Sequence, residues 1–276
     1  MTLPMPAGID LASLHDQLCR IVREAGAIAL SDYRPNQPTR ATVDWKEGGS
    51  PVTSADLAVD RFLNEGLPKL APLPVHSEER PESWNPAPRS AFVIDPIDGT
   101  RDFADGGHAW CIVIGVLIDG RPAAGAVHVP ATGATFSAFR GGGAFRNGSR
   151  LVAPSSASSP LAITGPRSAV DTFVHKTGLP FRHAAGIPAL AHRVLAPLDG
   201  RADLALARAG GHDWDIVASD CILREAGARL LTLSGQTPEY RLAGGEQPPL
   251  VAGSETLLIE IGQRQSGPLS HLTNPA

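Results

Sequence analysis

The sequence predicts an α/β protein of two halves, an α+β half followed by an α/β half, on three observations. Apolar residues recur at helical spacing before residue 35. Short apolar runs separated by Asp-Gly and Asn-Gly pairs fill residues 91–151. Strand-like and helix-like runs alternate after residue 160. The stretch LVAPSSASSP (151–160), rich in serine and proline, marks the joint, so the expected halves are residues 1–152 and 153–276. At 276 residues the chain can bury a substantial core.

Asp10 is a ready N-cap for a first helix, whose stripe Leu11, Leu14, Leu18, Ile21, Val22, Ala25 and Ile28 must end before Arg34-Pro35. WKEGGSPVTSAD (45–56) is polar and glycine-rich, a loop or tight hairpin. It leads into a second helix capped by Thr53 or Ser54, with Leu57, Phe62 and Leu63 as apolar positions and Asp56 in the first turn. WCIVIGVLI, AAGAVHV and ATFSAFR then read as strands of a β-meander, with hairpin turns at Asp119-Gly120 and Asn147-Gly148. Gly141-Gly142-Gly143 lacks the Lys-Ser/Thr that completes a P-loop and reads as a flexible hairpin. In the second half LAITG is a strand, helices are expected around residues 167–178 and 188–197, and ADLALA is a strand. Ile216, Val217, Cys221 and Leu223 give a further helix its buried face before Gly227, and LLTL is a following strand.

The formal net charge of −4 gives no pull toward a nucleic-acid polymer or an anionic membrane surface, and no stretch has transmembrane length. MTLPMPAGIDL lacks the basic patch and apolar run of a secretory leader. Cys19, Cys111 and Cys221 are odd in number and far apart, which suits buried thiols in a reducing compartment. A soluble cytoplasmic protein is expected.

FVIDPIDGTRDF (92–103) places Asp95 and Asp98 at the end of a buried strand. Two like charges about 4 Å apart repel by roughly 4 kcal/mol at a surface-like dielectric, so a positive partner is required. Pro96 fixes the turn, Gly99 permits close backbone approach, and the following residues can begin a short helix. Asp56, Glu78-Glu79 and Asp215 likewise stand where a strand or loop meets a helix start. Each of these three alone has a structural explanation. Together they form an oxygen-only ligand set, which selects hard divalent cations such as Mg²⁺ and suits phosphate ester hydrolysis. His76, His108 and His212 match no zinc spacing and are expected to be supporting or surface groups.

SPVTSAD, SEE, DPIDGT and WD…EAG, in this order and spacing, resemble the inositol monophosphatase superfamily of Mg²⁺-dependent, lithium-sensitive phosphatases, from about residue 12 to about residue 255. The resemblance implies a layered αβαβα sandwich of two halves with the metal site in the cleft between them. It implies two or three Mg²⁺ ions: one on Glu78, Asp95 and the Ile97 carbonyl, one on Asp95, Asp98 and Asp215, and a weaker one on Glu78. Asp56 and Thr100, with Glu79 nearby, would orient and deprotonate the attacking water, and the Gly99 and Thr100 amides would cradle a small phosphorylated substrate. The oligomeric state, a homodimer included, stays open.

Within the superfamily, Ser50-Pro51-Val52-Thr53, Ser77-Glu78-Glu79 and Arg101 lean toward the 3′(2′),5′-bisphosphate nucleotidases. Seven residues before Asp215, where inositol enzymes commonly carry a glutamate for substrate hydroxyls, stands Arg208, a donor-only fork suited to a second phosphate. Against this, GGGAFRNG is typical of the inositol side. Gly186-Ile187 replaces the family's Gly-Ser and loses a hydroxyl contact to either substrate. A 3′-phosphatase acting on a nucleotide bisphosphate is the first reading, with inositol-1-phosphate or another polyol phosphate as the alternative. Three readings from elsewhere differ in their consequences. A haloacid-dehalogenase-type phosphatase would need D-x-D rather than Asp95-x-x-Asp98. A structural Ca²⁺ site would lack the EF-hand spacing. A degenerate family member acting as a scaffold is the third, but every metal-ligand position is intact.

Overall fold

The computed structural model describes residues 9–80, 89–242 and 245–263; residues 1–8, part of the stretch read for a leader, lie outside them. Asp10 caps α1 (Leu11–Leu30), its carboxylate accepting the Ala12 amide at 3.0 Å, and Leu14, Leu18, Ile21, Val22 and Ala25 are buried. The glycine-rich stretch is a hairpin, β1 (Val43–Trp45) antiparallel to β2 (Pro51–Thr53). Thr53 caps α2 (Ser54–Gly66), and Asp56 reaches back to the Thr53 amide to complete a reciprocal capping box. The buried face of α2 differs from expectation. Val59 and Leu63 are buried whereas Leu57 is 49% exposed, because it lies two positions from both Ala55 and Val59 on a helix of 3.6 residues per turn. Asp56 and Asp60 occupy buried positions on this helix.

β3 (Val75–Ser77) lies parallel to β4 (Ala91–Asp98), which the short α3 (Thr100–Ala104) follows. β5 (Cys111–Ile118), β6 (Arg121–Val129), β7 (Ala134–Phe139), β8 (Gly143–Arg146) and β9 (Ser149–Leu151) continue as the expected antiparallel meander, giving one seven-stranded sheet in sequence order. Asp119-Gly120 and Asn147-Gly148 all have positive φ, as tight hairpin turns require.

Beyond residue 160 come β10 (Leu161–Thr164), α4 (Arg167–Thr177), β11 (Phe181–His183), α5 (Leu190–Val194), β12 (Leu204–Ala207), α6 (Asp213–Ala226), β13 (Ala228–Thr232), β14 (Leu250–Ser254) and α7 (Glu255–Gln263). They build a five-stranded sheet in the order β11-β10-β12-β14-β13, parallel across its first three strands and antiparallel across the rest. α5 is shorter than the helix expected over 188–197. Gly227 ends α6 in the left-handed conformation. The Gly141–Gly143 hairpin is pinned rather than flexible: the Glu225 carboxylate accepts the Gly141 amide at 3.0 Å and the Gly143 amide at 2.9 Å.

Side-chain alternation along the strands sets the layering. Phe92, Ile94, Ile112 and Ile114 face α1 and α2 on one side of the large sheet. Val113, Val127 and Phe136 face the other way, where Ile216 and Ile222 of α6 join Ala205 and Ala252 of the small sheet. The outer face of the small sheet carries Ile163, Leu206 and Val251 against Val170 and Phe173 of α4 and Leu258 and Ile261 of α7. The result is a layered αβαβα sandwich, with α6 filling the middle. Among the described residues no helix is long and apolar enough to cross a membrane.

Candidate active site

In a regular strand, residues three apart point to opposite faces. The pairing of β4 with β5 shifts register between Asp95 and Asp98, an irregularity that releases the two carboxylates from that alternation. Asp215 arrives from the first turn of α6. Asp95, Asp98 and Asp215 each place one carboxylate oxygen within 4.8 Å of the others. Gly99 adopts φ 87° to turn the chain into α3 and packs closely: a Cβ there would lie 3.2 Å from that of Ala189.

Two of the three acids are held by backbone amides. The Asp215 carboxylate accepts the His212 amide at 2.7 Å. Asp98 accepts the Leu190 amide at 3.0 Å and the Ala191 amide at 2.6 Å, and so caps α5, whose own N-cap residue, Ala189, has no acceptor side chain. Burial, then the charges of Glu78, Asp98 and Asp215, hold the Asp95 carboxyl well above the usual carboxylate range. Burial and the Asp98 charge do the same to Asp215. Asp98 is pushed up to about 6 by burial, with the two α5 amides and Arg193 pulling the other way. Asp95 Oδ1 is buried with no hydrogen-bond partner. An orphaned carboxylate oxygen inside an oxygen-only cluster fits a hard divalent cation.

Glu78 and Glu79 follow β3, with the Glu78 amide donating to Ile94 O at 3.2 Å. Asp60 of α2 anchors the segment, accepting from Ser77 Oγ at 2.5 Å, Asn64 Nδ2 at 2.8 Å and Arg80 Nε at 2.6 Å. Lys46, from the β1–β2 turn, reaches Glu78 Oε1 and Glu79 Oε1, both at 2.8 Å. Glu79 is pushed up to about 7, chiefly by burial and partly offset by Lys46.

Asp56 and Thr100 meet as expected, with Thr100 Oγ1 3.2 Å from Asp56 Oδ1 and 3.0 Å from Ile97 O. That gives the hydroxyl two acceptors for its one proton, leaving its lone pairs to receive a proton from elsewhere. Burial pushes Asp56 up to about 6 against the bonds from Thr53, whose hydroxyl lies 2.5 Å from Asp56 Oδ2.

The expected substrate contacts are less assembled. Arg208 is exposed just beyond β12, and its charge acts on Arg193. Gly186 is exposed, with open space around it. Ile187 turns its side chain into a small apolar cluster with Ala196 and Ala202, while its carbonyl accepts from Arg193 Nη1 at 3.1 Å. His212 stacks on Trp214 with ring centroids 4.3 Å apart, and His108 Nδ1 lies 2.7 Å from the Tyr33 hydroxyl.

Three residues of the site escaped the sequence reading. Lys46 and Asp60 stand in no motif or spacing that sets them apart in the sequence. Arg193, which the Asp98 and Asp215 charges act on and whose buried Nε has no acceptor, was legible only as a cation interrupting the apolar run ALAHRVLAP.

The sequence profile of the inositol monophosphatase family matches residues 10–264. A 3′(2′),5′-bisphosphate nucleotidase CysQ of Aggregatibacter actinomycetemcomitans is 30% identical over 240 residues, 82% of this chain and 87% of its own. A probable inositol 1-monophosphatase, ImpA, of Mycobacterium tuberculosis is 31% identical over 275 residues, 92% of this chain and 96% of its own. The solved structure of an IMPase from Thermotoga maritima superposes with a TM-score of 0.75 at 22% identity, covering 94% of this chain and 97% of that one. A profile matched across nearly the whole chain and a fold shared with a solved relative agree with the clustered carboxylates, and the chain belongs to the inositol monophosphatase family.

Proposed function

We propose that this phosphoric monoester hydrolase removes the 3′-phosphate of a nucleotide bisphosphate such as 3′-phosphoadenosine 5′-phosphate, using Mg²⁺ held by Glu78, Asp95, Ile97 O, Asp98 and Asp215. The observation that carries the reading is the convergence of Asp95, Asp98 and Asp215 within 4.8 Å, beside a Thr100 hydroxyl 3.2 Å from Asp56. Bound Mg²⁺ supplies Lewis-acid charge that acidifies water and stabilises the leaving oxygen. Thr100 Oγ1 orients that water by accepting its hydrogen, while passing its own proton toward Asp56 Oδ1. Asp56, about 6, is ionised enough near neutrality to receive it. Glu79 stands behind as a second acceptor of protons. The Gly99 and Thr100 amides, turned by the left-handed Gly99, hold the phosphate.

The bisphosphate is preferred because Arg208, an exposed guanidinium just beyond β12 whose charge acts on that of Arg193, stands where an inositol enzyme needs a hydrogen-bond acceptor. The CysQ relative points the same way. The ImpA relative favours inositol 1-phosphate as the second reading. Lithium inhibition and a cytoplasmic setting belong to both.

Turnover with Mg²⁺ should be compared on 3′-phosphoadenosine 5′-phosphate, inositol 1-phosphate, fructose 1,6-bisphosphate and histidinol phosphate. For Arg208→Glu, losing a charge-assisted contact of roughly 1.5–3 kcal/mol should lower kcat/KM on the nucleotide bisphosphate by about tenfold or more. Inositol 1-phosphate should be spared or improve, since the change restores an acceptor. Equal losses on both would show Arg208 to be structural.

A further inference from the structure

Outside the active site, α1 and the strands β7 and β8 enclose a surface cavity of about 670 Å³ that shares no residue with it. Its lining includes His15 and Cys19, one helical turn apart on α1, and Ser137 of β7. His15 Nε2 lies 3.6 Å from Cys19 Sγ and 2.9 Å from Ser137 Oγ, and its Nδ1 lies 3.3 Å from Asp16 Oδ1. The imidazole is buried between Phe139 and Phe145, with ring centroids 5.1 and 5.6 Å away, so its nitrogens are held in this orientation. We infer that Cys19 is a nucleophilic thiol activated by His15, and that this cavity is a site for its reversible oxidation by hydroperoxides.

The surroundings favour a thiolate–imidazolium pair. Charged groups facing it from α1 are Asp16, Arg20 and Arg23. β7 contributes the neutral Thr135 and Ser137 and β8 the neutral Phe145, over which Arg150 of β9 lies at 5.6 Å. His128 of β6, behind the helix, is pushed down to about 4 by burial and stays uncharged. Burial raises the Cys19 thiol, but hydrogen bonds from His15 and Ser137 and the charges of His15 and Arg23 leave it below its ordinary value. The other two cysteines go the opposite way. Cys111 is raised by burial and the Asp98 charge, and Cys221 by burial and the Asp220 charge, and neither is accessible.

The chemistry closes without a further cofactor. The Cys19 thiolate attacks one peroxide oxygen; the S–O bond forms as the O–O bond breaks. The departing oxygen takes the His15 proton and leaves as water or an alcohol. Sulfur is oxidised by two electrons to a sulfenic acid, and the peroxide is reduced by two. A small thiol then expels water to form a mixed disulfide, and a second thiol releases Cys19.

The test is the pH profile of iodoacetamide labelling on the folded full-length protein, resolved by peptide mass spectrometry. Cys19 should label with a midpoint clearly below the roughly 8.5 of a free thiol, while Cys111 and Cys221 stay protected. Hydrogen peroxide followed by a 1,3-dione trap should place the adduct on Cys19. His15→Asn should return the midpoint to the ordinary value and slow labelling at pH 7 severalfold. Ser137→Ala should move it part of the way, and serves if the His15 variant does not fold. A wild-type midpoint at or above 8.5, an unmoved midpoint in the folded variants, or no dione adduct at Cys19 would each overturn the proposal.

Discussion

Asp95 combines a buried, unpartnered oxygen with three neighbouring acids. Replacing it by asparagine therefore pulls in two directions. In chelator, Asp95→Asn removes the cost of keeping a buried carboxyl among neighbouring acids and should raise the melting temperature. In Mg²⁺ it should leave under a tenth of wild-type turnover. A folded variant keeping more than that would refute the central place given to Asp95. Thr100→Ala should lower kcat far more than it raises KM, because the hydroxyl acts on water rather than on bound substrate; steady-state kinetics on one substrate decides it. At this scale the sequence was most informative where spacing is unusual. Asp95-x-x-Asp98 with Gly99-Thr100 announced its chemistry, whereas Lys46 and Asp60 did not. A lone lysine in a polar turn looks the same whether it faces solvent or bridges Glu78 and Glu79.

The Glu225 carboxylate, near the end of α6, holds both amides of the Gly141–Gly143 hairpin. Glu225→Ala should cost about 1–3 kcal/mol, chiefly through the unpaired amide of buried Gly143, and speed hydrogen exchange at residues 141 and 143, with Mg²⁺-dependent turnover unchanged. If exchange there is already fast in the wild type, the pinning is wrong. Elements with strong local signals were legible: α1 from its stripe and Asp10 cap, α2 from its start, and the meander from its paired turns. β11 was not, because Phe181–His183 is a partly exposed three-residue edge strand without alternation. Nor was the true face of α2, where buried Asp56 and Asp60 take places that an apolar pattern cannot announce.

Across the whole molecule, the raised carboxylates make stability depend jointly on pH and on cations. Asp56 and Asp98 titrate at about 6 and Glu79 at about 7, against about 4 in an unfolded chain. Between those values the folded state binds more protons, so these groups cost stability as pH rises from about 4 to 7. Buried His76, His128 and His192, all lowered, act in the opposite sense over much of that window. The difference between Mg²⁺ and chelator cancels the histidines. The melting-temperature gain from Mg²⁺ should therefore be larger at pH 7.5 than at pH 5, measurable by scanning calorimetry; an equal or smaller gain would contradict the buried acids' role in holding the ion. The layering itself was beyond residue patterns, since the alternation along a strand tells how many faces are apolar but not which helix covers each. Only the resemblance supplied it.

Asp98 belongs to β4 in the large sheet, yet it caps α5 on the other side of the joint. Its carboxylate is thus a rivet between layers, and whatever draws on its oxygens is felt at the first turn of α5. Cation loading should be readable far from any assay of turnover, as a change in the protection of the Leu190 and Ala191 amides. The helix beginning there also carries Arg193, on which the charges of Asp98 and Asp215 act, so the same rivet ties the charge state of the acids to a buried cation one turn into α5.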